Sequence, residues 1–262
     1  MMYKSKYTVL ILILILGIVF HSCKPPEKTP PLQPDNESLE LDLSFFQIGQ
    51  GGDYYNYASS KVNYWQVLLS DSLNLQRTLY NSVVDIDPVY QSGNTWLSKA
   101  ETEYNDQNYE VDLFMSDYSD SLEYKLYFSL FPADADTFLH LLIYDGKSYQ
   151  DNAYGNWTIN KPDTANTYDE FLQIIWTDTV GSLNSIRFTN TLEGNANGSY
   201  ILYLDSIEDD FNSYLDLFDK ELENHTIIQW NSLTNTGRIK DNLEFPDDQW
   251  YYWDGSLNDM AK

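Results

Sequence analysis

Cysteine and basic residues are scarce in this chain of 262 residues. Cys23 is the only cysteine, so no disulfide can form within the chain. The 40 aspartates and glutamates far outnumber the 15 lysines and arginines, and the formal net charge is −25 at pH 7. A field of this sign repels nucleic acid, and we therefore expect no nucleic-acid partner.

The residue patterns that carry catalysis are also missing. The sequence has no Gly-x-Ser-x-Gly elbow, no phosphate-cradling glycine loop and no close cluster of histidines. His140 lies in an apolar run over residues 138–144, where we expect a central strand and a buried histidine. We therefore expect no cofactor, no metal and no catalytic residue.

One long apolar run is present, over residues 8–20, and it follows Lys4 and Lys6. It is shorter than the roughly 20 residues that cross a bilayer. With Ser22 before Cys23, this order is the pattern of a secretory signal peptide. It also resembles the bacterial lipobox, which implies that Cys23 is the lipid-modified first residue of the mature chain. The alternative is an ordinary signal peptide in which the cysteine is incidental.

Three regions follow from this reading of the sequence. Residues 1–22 are the expected lipoprotein signal peptide, residues 23–36 a lipidated cysteine with a proline-rich tether, and residues 37–262 a single β-rich domain. Lys24 stands where an aspartate retains some lipoproteins in the inner membrane. The resemblance therefore implies a lipid anchor in the outer membrane, and it leaves the periplasmic and the surface face open.

Aromatic residues are abundant, with 22 Tyr, 12 Phe and 7 Trp. Four runs read as strands, by alternation or by burial on both faces: residues 122–131, 138–144, 171–176 and 199–204. Three dipeptides favour hairpin turns: Asp145-Gly146, Asn197-Gly198 and Thr236-Gly237. We therefore predict a mainly β fold. It is an antiparallel meander forming a sandwich or an open barrel, with at most one or two short helices.

Two segments have helical spacing instead. Trp96, Ala100 and Tyr104 recur at every fourth residue, which predicts a short helix. Over residues 207–222 the apolar side chains fall on one helical face behind Ser206, a capping residue. A strand paired with residues 226–230 fits this second segment equally well, so the sequence leaves helix and strand open.

The C-terminal part of the chain resembles a group of known proteins. The matching residues are Arg238-Ile239-Lys240, Trp250 through Trp253-Asp254, Leu257 and Asp259. They are similar to the C-terminal signature of bacterial lipoproteins that have an all-β body and no assigned activity. The resemblance implies a β fold and brings no function with it.

Aromatic surface is the expected route to a function. Trp157 lies in a predicted strand, and residues 249–253 include Trp250, Tyr252 and Trp253. Such rings stack on the apolar faces of sugars while neighbouring polar groups bond hydroxyls. We therefore expect a membrane-anchored, non-catalytic envelope lipoprotein that binds a glycan or an envelope protein through these four residues.

Two alternatives remain open. Gly155 and Trp157 form a Gly-x-Trp pair that resembles lipocalins, and a meander closing round a cavity would carry an apolar ligand. Glu110 and Asp112 place two carboxylates on one strand face, which resembles the catalytic strand of β-jelly-roll glycanases. That resemblance implies a glycan hydrolase, although Phe114 stands where the second glutamate would be.

Five triplets have the order Asp, then Ser or Thr, then an aliphatic residue. Their hydroxyl residues are Ser72, Ser121, Thr164, Thr179 and Ser206. The order resembles the O-glycosylation acceptor of exported proteins in one large group of Gram-negative bacteria, which implies these hydroxyls as modification sites. The structural alternative is a turn just before a strand, for which Asp-Ser and Asp-Thr are well suited.

Overall fold

The structure, a computed structural model, describes most of the chain. The described residues are 29–31, 41, 43–47, 49–130, 140–149, 153–163, 167–178, 183–205 and 210–261, without the side chains of residues 71, 72 and 183. The described residues from Pro31 onward belong to one compact unit. The predicted signal peptide and Cys23 lie outside the described residues, as does nearly all of the tether.

The body of the protein is a run of short strands. In chain order they are β1 (Val89–Ser92), β2 (Thr95–Tyr104), β3 (Gln107–Asp117), β4 (Ser121–Leu130), β5 (Leu141–Tyr149), β6 (Tyr154–Pro162), β7 (Tyr168–Asp178), β8 (Leu183–Asn190), β9 (Tyr200–Asp205), β10 (Ser213–Asp219), β11 (Asn224–Asn231), β12 (Thr236–Asp241) and β13 (Tyr251–Trp253). Each strand pairs antiparallel with the next, and all 13 form one sheet in sequence order. The predicted antiparallel β meander is confirmed. Among the described strands, β1 and β13 are edges, and the sheet does not close into a barrel.

One face of the sheet forms the core. On β3, Val111, Leu113 and Met115 are fully buried, while the residues between them are partly exposed. This alternation is the strand period of two, and it recurs on β4, where Tyr124 and Leu126 are buried. The predicted apolar alternation therefore does place one side of the meander against a common core.

A long helix, α1 (Asp53–Val83, 31 residues), precedes the sheet. It contacts β2 and β3 as well as β12 and β13, so it bridges the two ends of the meander. Tyr55 and Val62 are buried near its start, and Leu79 and Val83 near its end. A 3-10 turn, Ser44–Gln47, lies ahead of the helix and packs two phenylalanines against this core.

The sequence patterns predicted at most one or two short helices, and α1 was not predicted. Tyrosine, serine and asparagine are common in this segment, and all three are weaker helix formers than alanine or leucine. Packing of the two ends against the sheet stabilises the helix, as is usual for helices in proteins. A helical spacing is present in Tyr55, Ala58 and Val62, and it is the signal that could have revealed the helix.

The helix predicted from Trp96, Ala100 and Tyr104 is wrong, because these residues lie on β2. A spacing of four is an even number, so it places residues on one face of a strand as readily as on one face of a helix. For residues 207–222, where helix and strand were both open, the described part contains strand β10 (Ser213–Asp219), which forms a hairpin with β11 in which Phe218 pairs with His225. Residues 206–209 lie outside the described part of the chain.

Two of the three predicted turn dipeptides lie inside strands. Asp145-Gly146 belongs to β5, and Thr236-Gly237 begins β12 after a turn over residues 232–235. Only Asn197-Gly198 is in a connection between strands, the one that joins β8 to β9. Gly146 is required for a different reason, because a Cβ there would lie 2.6 Å from Cε3 of Trp157.

Candidate functional site

Trp157, the first of the predicted ligand-binding rings, is a core residue. Only 1% of its surface is exposed. Its ring stacks between Tyr124 and Trp176, with centroid distances of 5.7 and 6.1 Å. The ring fills the space that Gly146 leaves on the neighbouring strand, and it cannot stack on a sugar that arrives from solvent.

The other three predicted rings divide between the two faces of β13. Trp253 has 1% of its surface exposed and packs edge-on against Tyr55 at 5.8 Å. Trp250 and Tyr252 lie on the opposite face, where Trp250 is half-buried and Tyr252 is 37% exposed. The structure therefore brings Trp250 and Tyr252 together and leaves Trp253 in the core.

Arg238 covers part of this outer aromatic surface. Its guanidinium lies 4.4 Å from the Trp250 ring centre and 4.7 Å from that of Phe211, as in cation–π pairs. Its Nε donates a hydrogen bond to Gln229. Because one face of Trp250 is occupied in this way, the open aromatic surface is much smaller than the predicted sugar-binding face.

Glu110 and Asp112 lie on the outer face of β3, as the spacing predicted. Asp112 accepts a hydrogen bond from Lys99 Nζ at 2.7 Å, and His140 Nε2 lies 3.6 Å from its other oxygen. Glu110 is exposed and faces Glu101 across the β2–β3 pair. Neither Glu110 nor Asp112 lines the cavity described below.

The expectation that His140 is a core histidine is wrong. Strand β5 begins only at Leu141, and His140 precedes it with a positive φ of 50°. This backbone geometry turns the exposed ring against Tyr127, where the two rings stack at 4.2 Å. The ring therefore lies on the outer surface, between Tyr127 and Asp112, and does not fill the core.

The five Asp-Ser/Thr triplets do not share one structural setting. Ser121 starts β4, is buried, and donates a hydrogen bond to Asp120, as the turn explanation predicts. Asp71 and Ser72 are instead within helix α1, where no turn precedes a strand. Thr164, Thr179 and Ser206 lie outside the described residues, as does the side chain of Ser72. O-glycosylation at these hydroxyls stays a prediction.

A cavity of about 940 Å³ lies between the middle of α1 and the inner face of the sheet. Its walls are mainly apolar. The helix contributes Trp65, Leu68, Leu69 and Leu75, and the strands contribute Phe171, Leu172, Phe188 and Leu217. The volume is near the upper end of the roughly 300–1,000 Å³ that is typical of sites for small molecules.

The cavity opens at one end of the meander. Successive turns of an antiparallel meander lie at opposite ends of the sheet, so the turns after β6, β8 and β10 share one end. Residues at all three turns line the cavity, among them Lys161, Leu192 and Leu222. Leu222 is 58% exposed, and Tyr64 on the facing helix is 66% exposed. The mouth therefore presents apolar side chains to solvent.

A second, smaller cavity of about 190 Å³ adjoins the first. Leu69 and Phe188 line both cavities, and Leu41, Leu43, Gln66, Ser70 and Arg77 complete the smaller one. Leu69 and Phe188 therefore stand between the main cavity and a smaller, more polar one that lies toward the segment preceding α1.

A buried carboxylate fixes one side of the main cavity. Asp241 is fully buried and accepts hydrogen bonds from Thr226 at 2.6 Å, Asn224 at 2.9 Å and Tyr57 at 2.9 Å. Burial by itself would raise the pKa of Asp241, but these bonds and a backbone N–H outweigh it and hold the pKa below the usual 3.8. Asn224, Thr226 and Lys61 all line the cavity, so the charged Asp241 lies directly behind its wall.

Comparisons with models of protein families, with curated proteins and with solved structures find no match to this chain. Within the described residues, no helix is both long enough and apolar enough to span a membrane. Groups of three or more histidine, cysteine or acidic side chains that could hold a metal ion are likewise absent from the described part.

Sequence reasoning did not identify the residues of this cavity. They come from α1, which was not predicted, and from strands distant in the sequence. The exposed apolar residues Tyr64, Val67 and Leu68 form the one local signal, because they interrupt an otherwise ordinary amphipathic helix.

Proposed function

We propose that this protein binds an apolar small molecule in the cavity between α1 and the sheet. One observation supports the proposal above all: a mainly apolar space of about 940 Å³ that opens to solvent. An empty space of this size would expose many apolar side chains to water. A bound hydrocarbon gains about 0.8 kcal/mol for each methylene that it buries.

The sequence left an apolar-ligand carrier open as an alternative, with the cavity inside a closing meander. The carrier proposed here has its cavity between α1 and an open sheet instead. The aromatic-face hypothesis has less support, since two of its four rings are in the core and a third is partly covered by Arg238. We also propose that lipid on Cys23 holds the carrier to the outer membrane, on the strength of the signal-peptide and lipobox pattern. An anchored carrier would be positioned to receive or deliver ligands at a lipid surface.

The test is binding of the neutral dye N-phenylnaphthylamine to the domain that starts at residue 37. We expect its fluorescence to rise on binding. Leu69→Trp should weaken the affinity about tenfold or more, because Leu69 lines the main cavity and the larger ring would fill part of it. Val67→Trp is the matched control, because Val67 is 59% exposed and adds the same ring outside the cavity.

The two tryptophan variants make the outcome clear. Dye binding that is equal in Leu69→Trp and Val67→Trp, with both proteins folded, would contradict binding inside the cavity. Loss of binding in the Val67 variant alone would place the dye on the outer surface of the helix.

A further inference from the structure

Lys61 places a positive charge in the wall of the apolar cavity. It lies on α1, lines the cavity and keeps 39% of its side chain exposed. Its Nζ is 3.9 Å from Asp241 Oδ2 and 5.2 Å from the Tyr57 ring centre. The first distance is an ion pair without a hydrogen bond, because N–H···O bonds extend to about 3.2 Å.

The ammonium of Lys61 therefore has hydrogen-bonding capacity to spare. Asp241 is occupied by Thr226, Asn224 and Tyr57, and it attracts Lys61 through its charge alone. No acceptor among the described residues lies within hydrogen-bond distance of Lys61 Nζ. An ammonium has three donors, so it can bind an oxygen acceptor on a ligand without breaking any contact in the protein.

Three charged side chains besides Lys61 line the cavity: Asp219, Glu221 and Lys161. Asp219 accepts a hydrogen bond from the Leu222 backbone N–H, so it belongs to the β10–β11 turn. Glu221 lies in the same exposed turn. Lys161, at the end of β6, is a second ammonium at the mouth, and no ion pair with a described residue joins it. Two lysines and two carboxylates therefore line the cavity, and Lys61 and Lys161 are the groups there that can donate charge-assisted hydrogen bonds to an anion.

We infer that the ligand is an amphiphile with a carboxylate or phosphate head, which Lys61 binds while the hydrocarbon chain extends toward Leu69 and Phe188. This inference rests on the proposed function, since it assigns a chemical class to the ligand of the same cavity. Charge-assisted hydrogen bonds are about twice as strong as neutral ones, and an apolar surrounding strengthens them further.

The experiment compares three ligands of equal chain length: dodecanoate, dodecyl phosphate and dodecanol. Each displaces the bound neutral dye from the wild-type domain, from Lys61→Met and from Lys99→Met. Methionine keeps most of the length and apolar character of the lysine stem and removes its charge. Lys99 is the control because it is 64% exposed and pairs with Asp112 on the outer face.

For the wild type and Lys99→Met, we expect the two anionic ligands to bind about tenfold more tightly than dodecanol. In Lys61→Met this preference should vanish while dodecanol binds as before. Acetate and inorganic phosphate should displace no dye, because they bury no hydrocarbon. Displacement by either of them would show that the site binds free anions and would contradict the inference that the ligand is an amphiphile.

The outcomes separate the inference from the proposed function. If dodecanol and both anions bind the wild type equally well, the cavity binds apolar chains and the head-group inference is wrong. Equal weakening of all three ligands in a folded Lys61→Met would also overturn it, since loss of charge should affect only charged heads. If none of the ligands nor the dye binds, the proposed function fails, and the inference fails with it.

Discussion

Asp241 is the residue on which the junction between helix and sheet depends. It lies at the end of β12, it is fully buried, and Tyr57 of α1 donates a hydrogen bond to it. Burial raises the pKa of Tyr57, and the hydrogen bond to Asp241 raises it further, so the phenol stays a donor across the physiological range. Removing the charge of Asp241 would therefore weaken hydrogen bonds to α1, to β11 and to the backbone N–H of Leu243 at the same time.

We predict that Asp241→Asn lowers the free energy of unfolding at pH 7 by about 2 kcal/mol, as expected for hydrogen bonds to a buried charge. The folded pKa of Asp241 is below its usual 3.8. Its contribution is thus fully present above the unfolded value and is lost as the pH falls through the folded value. Urea unfolding of both proteins between pH 7 and pH 3 should show the difference shrinking below about pH 4.

Asp145→Asn is the matched control, because Asp145 is 46% exposed and lies 3.8 Å from Lys125. A pair of this kind contributes at most about 1 kcal/mol, so this variant should unfold nearly as the wild type does. If Asp241→Asn were no less stable than Asp145→Asn, the network around Asp241 would not hold the helix to the sheet.

The helix shows how one element depends on a distant part of the chain. Gly52 precedes α1 and offers no side chain to cap it. The cap comes from Asp259, whose two carboxylate oxygens accept hydrogen bonds from the backbone N–H groups of Asp53 and Tyr54, both at 3.0 Å. A negative charge at this end of a helix also interacts favourably with the helix dipole.

We predict that Asp259→Ala lowers the free energy of unfolding by about 1 kcal/mol, the usual effect of losing an N-cap. Asp259→Asn should recover part of that loss, since the amide oxygen can still accept a bond. Met260→Ala is the control, because its side chain is 50% exposed and takes no part in the cap. Chemical denaturation of the three variants decides the matter, and equal stability of Asp259→Ala and Met260→Ala would contradict the cap.

Among the secondary-structure elements, the positions of strands were predicted more accurately from the sequence than the turns that join them. The run over residues 122–131 corresponds to β4 (Ser121–Leu130), and the run over residues 199–204 to β9 (Tyr200–Asp205). The turns were less well predicted, since Gly146 and Gly237 serve the close approach of Trp157 and Trp253 within strands. Glycine has both uses, and the sequence alone does not distinguish them.

For the whole molecule, the signal-peptide and lipobox pattern leads to a prediction about location. Protein purified from its native host should partition into a detergent phase, and Cys23→Ala should move it to the aqueous phase. Two or more acyl chains anchor a protein stably, whereas a body with a net charge near −25 has little affinity of its own for anionic membranes.

Lys24→Ala provides the control for this prediction, since it changes the neighbouring residue and keeps the cysteine. Intact-mass measurement of the detergent-phase protein should show acyl groups on a chain that begins at Cys23. An unmodified Cys23, or an N-terminus elsewhere in the chain, would be incompatible with a lipid anchor at this residue.

The sequence alone determined the fold class, because alternation of apolar and polar residues is a local property with a fixed period of two. The same period placed Trp250 and Tyr252 on one face of β13 and Trp253 on the other. Tertiary structure decided which face is buried and that Trp157 is enclosed. It also decided that α1 packs across the sheet, and that Asp259, 206 positions after Asp53, caps the start of the helix. The cavity depends on these long-range contacts, since its walls belong to segments that become neighbours only when the meander curves around the helix.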